Sequence, residues 1–231
     1  MEQDKKRSAF IILAWGGLWG IFEATVGYLL HLLPISIGSF VWYPVACFVM
    51  YCVFCQTGKI SAVFLVGLMS AAVKLLNLLL PVRVDKVINP AVSIVLEAIA
   101  MTVMVWADSR YLSGRPKRWP VKLGLVAAMN SGWRLLYAGY LLFLVPDWIR
   151  KVSVLASGKS LFLFFLVHNL STTLLIFIGW QFIGQIDRLN EKLRRHAHSL
   201  FSLVPAKSAT AVKAGVCLLL LGANIALQMV L

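Results

Sequence analysis

The chain alternates between long apolar stretches and short polar connectors. Seven stretches come close to the roughly 20 residues that a helix needs to cross a lipid bilayer. They cover residues 9–33, 37–55, 60–80, 87–107, 121–145, 161–183 and 211–231. Three of them close at a proline, which cannot continue a helix, namely Pro34, Pro81 and Pro146. The pattern predicts an all-α fold, a polytopic membrane bundle of six to seven transmembrane helices.

A polar segment separates the last two stretches. Between Gln185 and Leu203, apolar residues share one side of a helix and basic residues lie elsewhere, which is typical of a helix at the membrane surface. The predicted units are a six-span bundle over 1–184, a basic amphipathic interfacial helix and linker over 185–209, and a seventh span over 210–231. The interfacial helix either anchors on anionic membrane lipid or docks a cytoplasmic partner.

Composition and charge fit a membrane protein. Hydrophobic residues make up 60% of the chain and charged residues 13%, which is too apolar for an ordinary soluble domain. Of the 22 Lys and Arg residues, fifteen fall in connectors on the side of the N-terminus and five on the opposite side. The positive-inside rule therefore places the N-terminus in the cytoplasm. It also accounts for the net charge of +13 without a nucleic-acid partner.

Aromatic residues near the span ends suggest belts at the two membrane surfaces. Trp106, Trp119 and Trp180 fall at predicted inner ends, whereas Trp42, Tyr43 and Trp148 fall at predicted outer ends. The four cysteines all lie inside apolar stretches, where neither a disulfide nor a zinc site is expected. We expect no metal and no cofactor.

Ionisable residues inside the apolar stretches are the main functional signal. Glu23, Lys74, Glu97 and Arg134 each cost at least about 2.5 kcal/mol at bilayer depth, so they must face the bundle interior, pair with each other or serve a ligand. Helical spacing aligns other polar residues with them or with one another, such as Asn130 with Arg134, His168 with Thr172 and Asn169 with Thr173. The predicted substrate-binding residues are Glu23, His31, Lys74, Asn77, Glu97, Asn130, Arg134, His168 and Asn169.

Two interpretations of this polar cluster stay open. Two ion pairs could tie helices together without any ligand. A ligand pocket is the interpretation we carry forward, because buried ion pairs often add little stability. A ligand with a carboxylate or phosphate would suit Lys74 and Arg134. With the N-terminus inside, the cluster lies near the middle of the membrane and is biased toward the exterior.

A ridge of small residues follows the first span. Gly16, Gly20 and Ala24 recur at four-residue spacing, which lets helix backbones approach closely. The ridge either packs inside the bundle or docks onto another membrane subunit.

Several of these features resemble one transporter family. The run from Gly17 through Trp19, Gly20 and Glu23 to Gly27 and His31, with Asn89-Pro90-Ala91 and Glu97, is similar to the substrate-capture (S) components of energy-coupling factor (ECF) transporters. The six spans, the small size and the outward-biased polar cluster also resemble that family. In it, Gly16, Gly20 and Ala24 would stand in for an Ala-x-x-x-Ala coupling motif.

The resemblance implies a role in transport across a prokaryotic inner membrane. A bundle of this kind binds a vitamin-like small molecule from outside, and associates with a membrane coupling subunit and a pair of ATPases. The chain itself would then hydrolyse nothing.

Two other functions compete with this one. Phe164, His168 and Asn169 resemble a fragment of the intramembrane CAAX-protease pattern, which would make the chain a hydrolase-like enzyme. That pattern also needs a Glu-Glu pair, and the sequence has none. A self-sufficient ion-coupled carrier would use Glu23 and Glu97 as a proton relay, although no internal repeat of two similar halves is visible.

Overall fold

The computed structural model describes residues 2–31, 38–79, 84–112, 118–151 and 153–182, and a few single positions between 184 and 226. Within these ranges the side chains of residues 2, 24–31 and 38–41 are outside the description. All regular structure in the described part is helical. The predicted all-α fold class is therefore confirmed.

Eight α-helices carry the described part of the chain. They are Glu2–His31 (α1), Gly38–Thr57 (α2), Ile60–Leu75 (α3), Asp85–Tyr111 (α4), Trp119–Phe143 (α5), Asp147–Arg150 (α6), Gly158–Phe162 (α7) and His168–Gln181 (α8). A 3-10 turn, Leu76–Leu79, prolongs α3. A π-helical turn, Leu163–Val167, joins α7 to α8 in one continuous helical segment.

The first six predicted stretches each coincide with a long helix. The structure differs at the first stretch, where α1 already begins at Glu2, because the polar N-terminal residues continue the same helix. It also differs at the sixth, which changes pitch at the π-helical turn. The predicted interfacial helix and seventh span lie largely outside the described residues, and their few described positions are helical.

Local sequence explains where the helices meet. Gly58 has a φ of 65°, a left-handed conformation that suits glycine because it lacks a Cβ. Its N–H donates to the Phe54 carbonyl at 2.7 Å, which ends α2 and lets α3 begin two residues later. At the start of α7, Ser157 caps the helix by accepting the N–H of Ser160 at 3.1 Å.

The long helices run up and down, so contacts between them define two ends of the bundle. At the end that holds the start of α1, called here the N-terminal end, Lys59 Nζ donates to Ser8 Oγ at 2.9 Å. At the opposite end, the far end, the Tyr140 hydroxyl donates to Asn89 Oδ1 at 3.0 Å. In the described part, α2 neighbours α1, α3, α4 and α8. Helix α3 also neighbours α1 and α4, and α5 neighbours α4 and α8.

Glycines allow the closest helix approaches. A Cβ on Gly67 of α3 would lie 2.3 Å from the Cβ of Ala98 on α4. A Cβ on Gly16 or Gly20 of α1 would lie 2.8 Å from Met69 Cγ or 2.7 Å from Val73 Cγ1 on α3. The faces of Gly16 and Gly20 are thus covered by α3, and internal packing accounts for both. The side chain of Ala24, the third residue of the predicted ridge, is outside the description.

Several helices have the length and apolar character of membrane spans. In the described part of the chain, three helical segments are long and apolar enough to cross a bilayer, namely Ile60–Leu79, Asp85–Tyr111 and Gly158–Gln181. A shorter apolar helix covers Trp42–Thr57.

Candidate functional site

Asn130, in the middle of α5, organises a buried polar layer between α5 and α8. Its Nδ2 lies 2.7 Å from Thr172 Oγ1, 2.8 Å from Thr173 Oγ1 and 2.8 Å from the Asn169 carbonyl. Its Oδ1 accepts the indole N–H of Trp133 at 2.9 Å. Asn130 has no exposed surface, so its amide is satisfied entirely by protein groups, as buried polar groups require.

Arg134 lies one helical turn after Asn130 and is only 1% exposed. Its Nη1 donates to the Phe164 carbonyl at 3.0 Å and its Nη2 to Thr172 Oγ1 at 3.2 Å. Its Nε donates to Asn130 Oδ1 at 3.4 Å. The guanidinium Cζ is also 4.7 Å from the ring centroids of both Trp133 and Phe164, in range for cation–π attraction.

The π-helical turn contributes directly to this arrangement. Phe164 lies within it, and its main-chain carbonyl is the acceptor for Arg134 Nη1. Single π-helical turns are frequent at functional positions. Here the turn presents a carbonyl and an aromatic ring to the same cation.

Glu97 of α4 is a buried carboxyl group that the sequence predicted as part of the same site. It is 7% exposed, and its Oε1 accepts a hydrogen bond from Ser93 Oγ at 3.1 Å. It interacts electrostatically with Arg134 and with Glu23, and Glu23 interacts with Lys74. In the described part of the chain no salt bridge joins any two of these four residues. The structure thus brings the four predicted charges into one electrostatic network but does not clamp them as contact ion pairs.

Other predicted site residues have different surroundings. Asn169 Nδ2 donates to Ser131 Oγ at 2.9 Å and belongs to the polar layer. His168 is half-buried and interacts electrostatically with Arg134. Asn77 lies in the 3-10 turn after α3 and is half-buried. The side chain of His31 is outside the described residues.

Tyr43 is a member of this site that the sequence did not single out. It was expected in the outer aromatic belt, but it is 2% exposed and its ring centroid lies 5.2 Å from that of Trp133. Its hydroxyl faces the Cys47 thiol and has no oxygen or nitrogen partner in the described part of the chain. Its position near the start of α2 resembles that of a belt residue, so only its ring contact with Trp133 in the folded bundle distinguishes the two.

A cavity of about 210 Å³ lies between α2, α4, α5 and α8, next to the polar layer. Its wall is almost entirely apolar or aromatic. Its lining includes Cys47, Tyr51, Met101, Met104, Asp108, Val126, Met129, Ile176 and Trp180.

On each of four helices, the residue that lines the cavity lies one helical turn from a buried polar side chain. Cys47 follows Tyr43 by four residues, Met101 follows Glu97, Val126 precedes Asn130 and Ile176 follows Thr172. Four residues are about one turn, or a rise of roughly 5.4 Å per turn. Because α5 runs opposite to the other three helices, all four offsets point toward the N-terminal end. The polar layer therefore lies about one turn from the cavity wall, on the side toward the far end.

The N-terminal end of the cavity carries its few polar groups. The hydroxyl of Tyr51 donates to Asp187 Oδ1 at 2.9 Å, which ties the segment after α8 to α2. Lys122 of α5 lies 5.9 Å from the ring centroid of Trp180, also at this end. The site thus has a buried polar layer about one turn from the cavity wall, and polar groups at the N-terminal end of the cavity, called here its rim.

Comparison with protein-family models, curated proteins and solved structures gave no match for this chain. The evidence on function is therefore the geometry of the polar layer and the cavity.

Proposed function

We propose that this protein is a multi-pass membrane protein of six to seven spans. Besides the three segments of spanning length, the support is the outer surface of the bundle. Large apolar side chains in the middle of helices are more than half exposed there, for example Val103, Leu135, Leu166 and Leu170. Soluble monomers rarely expose contiguous apolar surface on this scale, whereas lipid tails would cover it.

The orientation follows from the distribution of basic residues. Lys5, Lys6 and Arg7 are exposed at the N-terminal end, where Lys59 also lies. Fifteen of the 22 Lys and Arg residues fall in connectors expected at this end, and the positive-inside rule therefore favours its location in the cytoplasm. The cavity then lies in the cytoplasmic half of the bundle, and not in the exterior half toward which the sequence predicted the polar cluster to be biased.

Single-cysteine labelling tests this topology. In a chain without its native cysteines, Ser157→Cys should react with an impermeant maleimide added to intact cells. Ser113→Cys should react only after the cells are opened. The reverse pattern would invert the orientation of the bundle, and labelling of both from outside would contradict a sealed multi-pass protein.

Within the membrane we propose that the chain binds a small molecule as the substrate-capture component of a transporter resembling the ECF type. The single observation that carries this proposal is the cavity of about 210 Å³, which lies one helical turn from a buried polar layer. Small-molecule sites are concave and mostly apolar, with a few fixed polar groups that orient the ligand. The cavity has this composition, and a bundle built only for structural support has no need of it.

The polar layer fixes two of the helices that line the cavity. Arg134, Asn130 and Thr172 hold α5 against α8 through hydrogen bonds made entirely within the protein. Helices held together in this way keep the shape of the cavity when ligand is absent, which reduces the free-energy cost of ordering the site on binding. The chain supplies binding in this proposal, and a coupling subunit with ATPases supplies the energy.

Purification from the native host tests the function. The protein is extracted in mild detergent, copurifying subunits are identified by mass spectrometry, and bound small molecules are released and identified. A coupling subunit with two ATPases and a stoichiometric small molecule would support the proposal. A chain that purifies alone, empty, and does not change uptake of any released compound when deleted would contradict it.

A second candidate is an ion-coupled carrier, and one observation favours it. Glu23 and Glu97 interact electrostatically inside the bundle, which is the arrangement of groups that proton relays use. Reconstitution of the purified chain into proteoliposomes distinguishes the two functions. Uptake driven by a pH gradient without ATPases would favour the carrier, and loss of that uptake in Glu97→Gln would identify the relay.

A further inference from the structure

We infer that the cavity between α2, α4, α5 and α8 takes a small neutral apolar molecule, about the size of a substituted benzene, rather than an anionic ligand. This inference deepens the proposed function and rests on it, since it names the substrate class of the same site. It also replaces the carboxylate or phosphate that the positions of Lys74 and Arg134 suggested from sequence.

The charge of the lining argues against an anion. The described residues that line the cavity include no Lys, Arg or His, and the charged residue among them is the acidic Asp108. A buried anion needs paired positive charge or several hydrogen-bond donors to offset its loss of water. A ligand carboxylate would instead find apolar carbon on most sides and a carboxyl group at the rim.

Arg134 does not remedy this lack of positive charge. All three of its guanidinium nitrogens donate to protein acceptors, and both aromatic neighbours lie at cation–π distance. The residue is 1% exposed and does not line the cavity. An anion could reach it only by displacing these protein partners, which would leave buried polar groups unsatisfied.

The volume sets the size of the occupant. An engineered cavity of about 150 Å³ lined by apolar side chains stays dry and binds benzene. The present cavity is about 210 Å³, so it has room for one ring with a short substituent, or for an alkyl chain of similar bulk. A complete lipid acyl chain is too long to be enclosed.

The side chains of the wall suit such an occupant. Met101, Met104 and Met129 line the cavity from two helices, and methionine adapts its shape to irregular apolar ligands. Tyr51 and Trp180 add aromatic surface near the rim. Aromatic rings prefer offset or edge-to-face contacts with one another, which favours a flat apolar guest.

Photolabelling tests this assignment on the purified full chain in lipid nanodiscs. The probe is phenyl(trifluoromethyl)diazirine, a neutral aromatic molecule whose photoproduct inserts into nearby C–H bonds. We expect saturable labelling on cavity-lining peptides containing Cys47, Met101 or Met129, and competition by toluene. Labelling of lipid-facing Leu135 should stay proportional to probe concentration, which reports partition into the bilayer.

Charged competitors determine the ligand class. Benzoate and benzylammonium have nearly the shape of toluene but carry opposite charges. If benzoate competes better than toluene at the cavity peptides, the site prefers anionic ligands and the inference is wrong. If benzylammonium competes better, the cavity is a cation site and the inference is equally wrong.

Two variants secure the result against misfolding. Met104→Trp fills the cavity and should abolish saturable labelling, whereas the matched control Leu135→Trp, on the lipid-facing side of α5, should leave it unchanged. If Met104→Trp does not fold, Met129→Ala enlarges the cavity and should allow bulkier alkylbenzenes to compete. Saturable labelling that persists in Met104→Trp, or no gain in the competing size for Met129→Ala, would overturn the assignment.

An acyl chain from the bilayer and a free small molecule share this chemistry. Nanodiscs built from lipids with a diazirine near the chain end distinguish them, because lipid crosslinks at Met129 that toluene displaces would identify an acyl tail as the natural occupant. The outcome does not depend on copurifying subunits. A dry, unlabelled cavity in a chain that still copurifies with ATPases would refute the ligand class alone, whereas a labelled cavity in a chain without partners would refute the transporter alone.

Discussion

The closest contact between α3 and α4 gives a quantitative prediction for Gly67→Ala. The new Cβ would lie 2.3 Å from the Cβ of Ala98, whereas ordinary contacts begin at 3.4 Å. Both atoms are fixed to helix backbones, so the helices must separate by about 1.1 Å, which places the cost near the upper end of the roughly 1–3 kcal/mol typical of overpacking. Alanine regains about 1 kcal/mol of helix propensity. We expect a net loss of about 2 kcal/mol in the free energy of unfolding.

The reciprocal change isolates the contact. Ala98→Gly alone should cost about 1 kcal/mol or slightly more, through helix propensity and the lost methyl group. The double variant moves one Cβ from α4 to α3, so the propensity terms cancel and the clash disappears. The double-mutant cycle should therefore give a coupling energy of about 2–3 kcal/mol.

Unfolding in SDS, followed by far-UV circular dichroism in detergent micelles, measures these energies. Gly132→Ala serves as the control, because no atom lies within 4 Å of its added Cβ, and it should be neutral or stabilising. A Gly67→Ala variant as stable as the parent, or a double variant no better than the sum of the singles, would refute the close approach of α3 and α4.

Three further outcomes are expected from single changes. Gly20→Ala should unfold more easily than the parent because its Cβ would meet an α3 side chain at 2.7 Å, whereas Gly17→Ala, with nothing within 4 Å, should gain about 1 kcal/mol. Arg134→Met should cost about 3 kcal/mol, because the Phe164 carbonyl loses its donor, with Arg134→Lys intermediate in the same unfolding assay. Tyr51→Phe removes the bond to the segment after α8 and should speed tryptic cleavage there.

Sequence periodicity determined the helices and the polar side of each. Hydrophobic stretches of spanning length located the six long helices. The free energy of moving such a helix out of water depends on its composition over many residues, which the sequence contains. Helical spacing also aligned Asn130 with Arg134, and these two side chains do share a hydrogen bond. The prediction that Asn169 and Thr173 share a face is likewise consistent with their side-chain hydrogen bonds to α5, to Ser131 and Asn130 respectively.

Only the tertiary structure decided which polar faces meet. Periodicity fixes the direction of a side chain around its own helix axis, but not the partner helix or the relative height of the two. Tyr43 therefore resembled a belt residue and is instead buried against Trp133. For the same reason the ridge of Gly16 and Gly20 was compatible with a partner subunit, although α3 covers both residues.

The cavity could not be predicted at all from sequence. It arises where four helices, packed at their polar layer, leave space one turn away, and its wall residues are the same apolar types that fill the core elsewhere. Composition reports which segments leave water, since that depends on their transfer free energy. Whether they enclose a space depends on side-chain volumes summed across helices distant in the chain, and this is fixed only when the bundle assembles.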